Sequence, residues 1–172
     1  MPDQRQDPVL GFNFTISLVE TGSAAAAVQV SVGLPPKSGF SECSGLEVTL
    51  QPDSYPEGGN NGTVLKFPGR AVWSNLRLRH GITSPDLWRW HLDFVEGRGK
   101  RRDGVITLQD EQGNAVRAWR FRRGLPVRWV GPALNAQQSQ IAVEEIEIAH
   151  EGLTQTGAGG GSVLDSIANL FR

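Results

Sequence analysis

A two-residue alternation of apolar and polar side chains recurs along this chain, and a helical period interrupts it once in the body. Phe12, Phe14, Ile16 and Leu18 share one phase while Asn13, Thr15 and Ser17 take the other, the signature of a half-buried antiparallel strand. Val28, Val30 and Val32 repeat the pattern after a small-residue connector at 21–27, which predicts a first hairpin. Leu34-Pro35-Pro36 breaks it, because prolines cannot donate to a ladder, and the chain restarts at Phe40. Leu46, Val48 and Leu50 predict a third strand that Pro52-Asp53 ends, followed by an exposed loop over 52–63 with three Gly and two Asn. Leu76 and Leu78 face in and Arg77 and Arg79 face out on a strand that stops at Gly81. Val105 to Leu108 and Ala115 to Arg122 flank a turn with Gly113, a second hairpin, and Leu125 to Val130 follows as a further strand. In the last strand Ile141 and Val143 share one phase and Ile146 and Ile148 the other, so a β-bulge is expected at Glu144-Glu145.

The change of period comes at Ser84-Pro85-Asp86, which combines a capping hydroxyl, Pro at the first helical position and a carboxylate near the positive dipole end. A helix is predicted from Pro85 to about Glu96. Its broad apolar face carries Leu87, Trp88, Trp90, Leu92, Phe94 and Val95, Arg89 and Asp93 are spaced as an i,i+4 pair, and Gly97 serves as the left-handed terminator. A helix this apolar lies across a sheet. With 21 Gly and 10 Pro beside five Trp and seven Phe, the chain suits short strands and many turns rather than a helix bundle. The fold class expected is mainly β (α+β): two packed antiparallel sheets forming a sandwich or barrel with one flanking helix. Its 172 residues suit one domain, read as an N-terminal arm at 1–11, a body at 12–153, and a Gly-rich linker with a short amphipathic segment at 154–172.

Motifs that would carry catalysis are missing from the sequence. His80, His91 and His150 have no ligand spacing with one another or with Cys43, and Thr154 stands where a zinc-protease helix would need its second His. Gly97-Arg98-Gly99-Lys100 follows a helix instead of opening one, and Arg101 occupies the place of a magnesium-binding hydroxyl. No Gly-x-Ser-x-Gly elbow occurs, and Cys43 reads as a buried small thiol. No catalytic residue, metal or cofactor is therefore assigned. A formal net charge of -1 gives no field for a polyanion, so no specific nucleic-acid partner is expected. The single Cys and the polar N-terminus predict synthesis in the cytoplasm, without membrane insertion.

Charge is unevenly placed. Between Arg98 and Arg128 nine Lys or Arg stand against three Asp or Glu, whereas Ile141 to Glu151 carries Glu144, Glu145, Glu147 and Glu151. Opposite patches on one chain suit heterologous contacts between identical copies, and equally suit ordinary solvated strand faces. The five Trp leave a second class open, a ligand- or glycan-binding β-sandwich using Trp73 or Trp129.

The succession Phe40-Ser41-Glu42-Cys43-Ser44-Gly45-Leu46, Glu57-Gly58-Gly59-Asn60, Lys66-Phe67-Pro68-Gly69, Leu76 to Gly81, Trp90, Pro126 to Ala136 and Ala149-His150-Glu151-Gly152-Leu153 resembles the tail-tube protein family of contractile phages and phage-tail-like injection systems. The Pro126 to Ala136 and His150-Glu151-Gly152-Leu153 segments resemble most closely its branch in extracellular injection systems, including members at the baseplate end. The resemblance implies a homohexameric ring with a continuous inner β-barrel, stacked into a hollow tube inside a sheath, attached to baseplate proteins and carrying cargo in its lumen. It implies a phage tail or tail-like particle, released outside the cell, with a baseplate-proximal initiator or adaptor ring as the variant role. The family's extended loop maps onto Tyr55 to Thr63, with Glu57, Gly58, Gly59 and Asn60 carrying the match. Arg77 and Arg79 are expected to meet Glu144 or Glu145 across a subunit boundary, and His150 and Glu151 to mark a turn or a contact. The sequence departs from the compact family pattern at 28–37 and after Thr154.

Overall fold

A computed structural model describes residues 10–22, 39–59, 62–82, 85–137 and 139–157. The Val28 to Val32 strand, the 28–37 insertion, the Ser84 cap, Asn60, the first nine residues of the arm and the last fifteen of the tail lie outside the described residues. Among the described residues nine strands and one helix follow in order: β1 (Phe14–Glu20), β2 (Phe40–Ser44), β3 (Val48–Pro56), β4 (Val64–Trp73), β5 (Leu76–Gly81), α1 (Asp86–Val95), β6 (Arg102–Gln109), β7 (Ala115–Val130), β8 (Val143–Ala149) and β9 (Leu153–Gly157). The body is mainly β with antiparallel pairing throughout, as the alternation predicts.

β7 is the hinge of the architecture. Its first part pairs with β6 on one side and β9 on the other, and β6 carries β1, giving a first sheet in the order β1-β6-β7-β9. Its last part, Leu125 to Val130, pairs with β8 and continues a second sheet in the order β7-β8-β5-β2. The two predicted strands at 115–122 and 125–130 are thus one strand that changes sheets. At the crossing Arg123 takes a φ of 52°, and Gly124 is packed so closely that a Cβ there would lie 2.7 Å from Phe121 and 2.8 Å from the Arg102 carbonyl. Arg123 donates its backbone N–H to Asp103 (2.8 Å) and its side chain meets Glu151 (2.9 Å), which fixes the corner.

One core joins the sheets. Ile16, Ile106 and Phe121 come from the first, Leu76, Leu78, Ile146 and Ile148 from the second, and Leu87 and Trp90 from α1. Phe12 is exposed despite sharing their phase in sequence. α1 presents Leu87 and Trp90 inward and leaves Trp88 and Val95 outward, so its apolar face is narrower than the sequence suggests. Trp90 donates its indole N–H to the Lys100 carbonyl (2.9 Å) and lies under the Arg102 guanidinium. Gly97 ends the helix with a φ of 76°, and the Gly97 and Arg98 amides bond back to the Phe94 and Asp93 carbonyls, closing the free end.

Three expectations change. The predicted bulge in the last strand is absent: β8 pairs with β5 without a shift, and Glu144 keeps the buried phase of Ile146 and Ile148. The shift sits opposite, on β7 between Pro126 and Arg128. The region from Pro52 onward is not a loop, because β3 runs to Pro56 and pairs with β4, a strand that the prolines and glycines concealed. Thr154 to Gly157, read as linker, belongs to β9.

Candidate assembly interface

β3 and β4 form a two-stranded sheet of their own, and its base is built with care. The chain leaves β2 through Gly45, whose φ of 86° a side chain rarely adopts, and a Cβ there would fall 2.1 Å from the Asn75 carbonyl oxygen. Ser74 donates its amide to the Glu47 carbonyl (3.3 Å) where β4 returns to the body. His150, between β8 and β9, places Nε2 3.1 Å from the Ser74 carbonyl, and its ring lies 6.0 Å from that of Trp73. Burial lowers the His150 pKa, against the opposing pull of the Ser74 carbonyl.

Beyond the base the hairpin stands off the body. Every residue of β3 is exposed, and in β4 only Gly69 and Trp73 are partly covered. Val48, Leu50, Ala71 and Trp73 pair on one face near the base. Between Leu50↔Ala71 and Pro52↔Pro68 the register gains one residue on β4, at a point where Gly69 comes so close to Gln51 that a Cβ would lie 2.3 Å from its carbonyl oxygen. Past this bulge the opposite face carries Tyr55 opposite Leu65 and Asp53 opposite Phe67. Tyr55 is 59% and Phe67 51% exposed. A two-stranded ribbon without a core is at best marginally stable in water. Two exposed apolar patches on opposite faces of such a ribbon make it the candidate contact surface of the chain.

The chain matches the T4-like virus tail tube protein gp19 family over residues 11–154. The chain belongs to the gp19 tail tube family. No curated protein matches it in sequence. Among solved structures it is similar to a chain of the anti-feeding prophage (AFP) baseplate, 6-fold symmetrised, at 22% identity and a TM-score of 0.75, covering 90% of this chain and 99% of that one. It is similar to a chain of the PVC sheath-tube complex of an extracellular contractile injection system in its extended state, at 21% identity and a TM-score of 0.71, covering 88% and 93%. The fold extends to Hcp1 from Flavobacterium johnsoniae, at 13% identity and a TM-score of 0.51, covering 84% and 96%. These likenesses establish a shared fold, and the matched span of the gp19 tail tube family includes the hairpin and every strand of both sheets except most of β9.

The residues expected at a tail tube contact fall in three places. Tyr55 lies on β3, and Glu57, Gly58 and Gly59 lie at the hairpin tip, where Gly59 turns the chain with a φ of 89°. Arg77, Arg79 and Glu145 lie together on the outer face of the second sheet, but their ion pairs are made within the chain. Arg77 meets Glu147 (3.8 Å), and Arg79 meets both Glu145 (3.8 Å) and Glu42 (3.1 Å). The cross-strand register sets these partners directly opposite, Arg77↔Glu147 and Arg79↔Glu145.

Glu144 is corrected outright, because it is 3% exposed and faces the core. It accepts the indole N–H of Trp129 (2.9 Å) and lies 3.4 Å from Nδ1 of His80, itself 2% exposed. His150 belongs to the base of the hairpin, and Glu151 pairs with Arg101 (3.3 Å) and Arg123 (2.9 Å) at the β7 corner. The sequence reading missed Leu65 and Phe67, whose alternation with Lys66 and Pro68 was the available signal.

Trp73 and Trp129 are not free platforms for a sugar. Both are half-buried; Trp73 lies against His150, and Trp129 packs on Trp88 with ring centroids 4.6 Å apart. The Cys43 thiol is half-buried, and burial together with the Glu42 carboxylate pushes its pKa up to about 11, which keeps it protonated and unreactive.

Proposed function

We propose that this chain is the repeating wall unit of the inner tube of a contractile injection system or phage tail, closing into hexameric rings that stack into a rigid conduit. The observation that carries the reading is the β3–β4 hairpin, a ribbon with apolar patches on both faces and no core of its own. Membership of the gp19 tail tube family supplies the class of assembly, and the six-fold symmetry in the description of the AFP baseplate supports the number six. In this reading Tyr55, Glu57, Gly58, Gly59 and Asn60 reach a neighbouring copy. A sheath surrounds the tube, a baseplate holds its end and cargo passes through the lumen. The chain is made in the cytoplasm and acts in a particle released from the cell. The role is mechanical: edge pairing and apolar contact between copies resist bending, and no reacting group is called upon.

Negative-stain microscopy of the concentrated full-length protein tests this. Rings or tubes with six-fold averages are expected; a strictly monomeric protein at every concentration overturns the reading.

A further inference from the structure

We propose that residues 163–171 fold back on their own chain as a short amphipathic helix, seated on an uncovered apolar shelf at one end of the first sheet, whether or not the chain builds a tube. The face of that sheet which carries the core runs on past it. Along this face Ile16 and Ile106 are buried and Trp119, next in their row, is half-buried. Two residues further out Phe14, Leu108, Arg117 and Gly157 stand opposite one another across β1, β6, β7 and β9. There Phe14 and Leu108 are half-buried and Arg117 is exposed, so the second sheet and α1 stop short of the row.

Just before β1, Phe12 is 69% and Leu10 57% exposed. They do not sit on a loose end. The Gln109 amide donates to the Asn13 carbonyl (2.8 Å), and the Asn13 side-chain amide donates to the Asp110 carbonyl (2.7 Å). Phe12, Phe14 and Leu108 thus form an apolar shelf that no other described residue covers, flanked by the aliphatic stem of Arg117.

The chain itself supplies an occupant. β9 ends at Gly157 in the same row, and Ala158-Gly159-Gly160-Gly161-Ser162 leads on to Val163. Val163, Ile167, Leu170 and Phe171 recur at helical spacing, while Asp165 and Asn169 fall on the other side. Ser162 and Asp165 are spaced as a capping box, and Arg172 suits the negative end of the helix dipole. A helix this short is marginal in water unless its apolar face is covered.

Dimensions match. Nine helical residues measure about 13 Å, and the row from β9 to β1 is three strand spacings wide, about 14 Å. The glycine-rich connection from Gly157 to Val163 reaches up to about 20 Å, enough to lay the segment along its own row. A short flexible tether holds it there at an effective concentration of about millimolar, which favours the shelf of the same chain over that of a second copy.

Cross-linking of the full-length chain in a Cys43→Ala background tests this. Gly11→Cys, where an added Cβ meets nothing within 4 Å, is combined with Arg172→Cys and treated with a short bismaleimide. The expected product, read by denaturing gel and mass, is a single chain joined internally. Ile167→Asp is expected to lower its yield several-fold, because a charge on the seated face undoes docking while the tether stays the same. Phe12→Ser is expected to lower it likewise. A yield that Ile167→Asp leaves unchanged reflects tethering alone and overturns the proposal, and one that Phe12→Ser leaves unchanged overturns the shelf as the seat. Products joining two chains in place of the internal one would make a second copy the occupant, and they overturn the proposal, as does the absence of any cross-link.

Discussion

Nε2 of His150 lies 3.1 Å from the backbone oxygen of Ser74, while the amide of Gly152 donates to Nδ1 of the same ring at 3.3 Å. Since an amide can only donate, Nδ1 accepts and Nε2 carries the proton, so the imidazole is neutral and ties the β8–β9 connection to the base of the hairpin. Burial depresses the pKa of His150 in the folded chain. A depressed value means that the unfolded chain takes up the proton first as pH falls below the ordinary histidine value of about 6.5. The stability linked to His150 is therefore complete above that pH and declines as acid titrates the folded ring. Urea midpoints between pH 7.5 and 5 are expected to fall for the native chain, and to fall less for His150→Gln.

Gly45→Ala is expected to destabilise by about 1–3 kcal/mol, from forcing a side chain into left-handed backbone, with a further cost for the clash against Asn75. Gly58→Ala, at the tip, meets nothing within 4 Å and serves as the control. Equal urea midpoints for the two variants would contradict the account of the hairpin base.

Neighbouring glutamates on β8 are expected to differ widely. Glu144→Ala leaves the half-buried Trp129 indole N–H without its acceptor and removes the carboxylate beside His80; leaving such a polar group unsatisfied costs about 1–3 kcal/mol. Glu145→Ala breaks an exposed pair with Arg79, a contribution of about 0–1 kcal/mol. Equilibrium denaturation of both variants checks the contrast.

Tyr55→Ser combined with Phe67→Ser is expected to leave the denaturation midpoint of the single chain within about 0.5 kcal/mol of the parent, because both side chains are exposed. The same change is expected to abolish rings and tubes by microscopy and to shift the gel-filtration peak to the monomer. Unaltered assembly would remove the tip patch from the contact surface.

Alternation made β1, β5 and the β6–β7 hairpin legible because each has one wet and one dry face, and α1 was legible because Pro85 and Gly97 mark its ends. The β3–β4 ribbon was hidden by Pro52, Pro56 and Pro68. These residues argue against a central strand, yet both strands of a two-stranded ribbon are margins, where proline is tolerated. Glu144 misled for a related reason. A carboxylate at the start of a strand reads as solvent-facing, and only the register that brings Trp129 and His80 to it shows why it turns inward. The intrachain pairing of Arg77 and Arg79 was equally invisible, since it depends on which residue of β8 stands opposite each.

β7 begins in one sheet and finishes in the other without a break in the chain. A load applied to either layer of a subunit therefore reaches the second through peptide bonds, whereas two layers held by side-chain packing alone would slide past each other. A tube driven forward in one stroke would gain from walls braced in this way, because shear between the layers is resisted covalently.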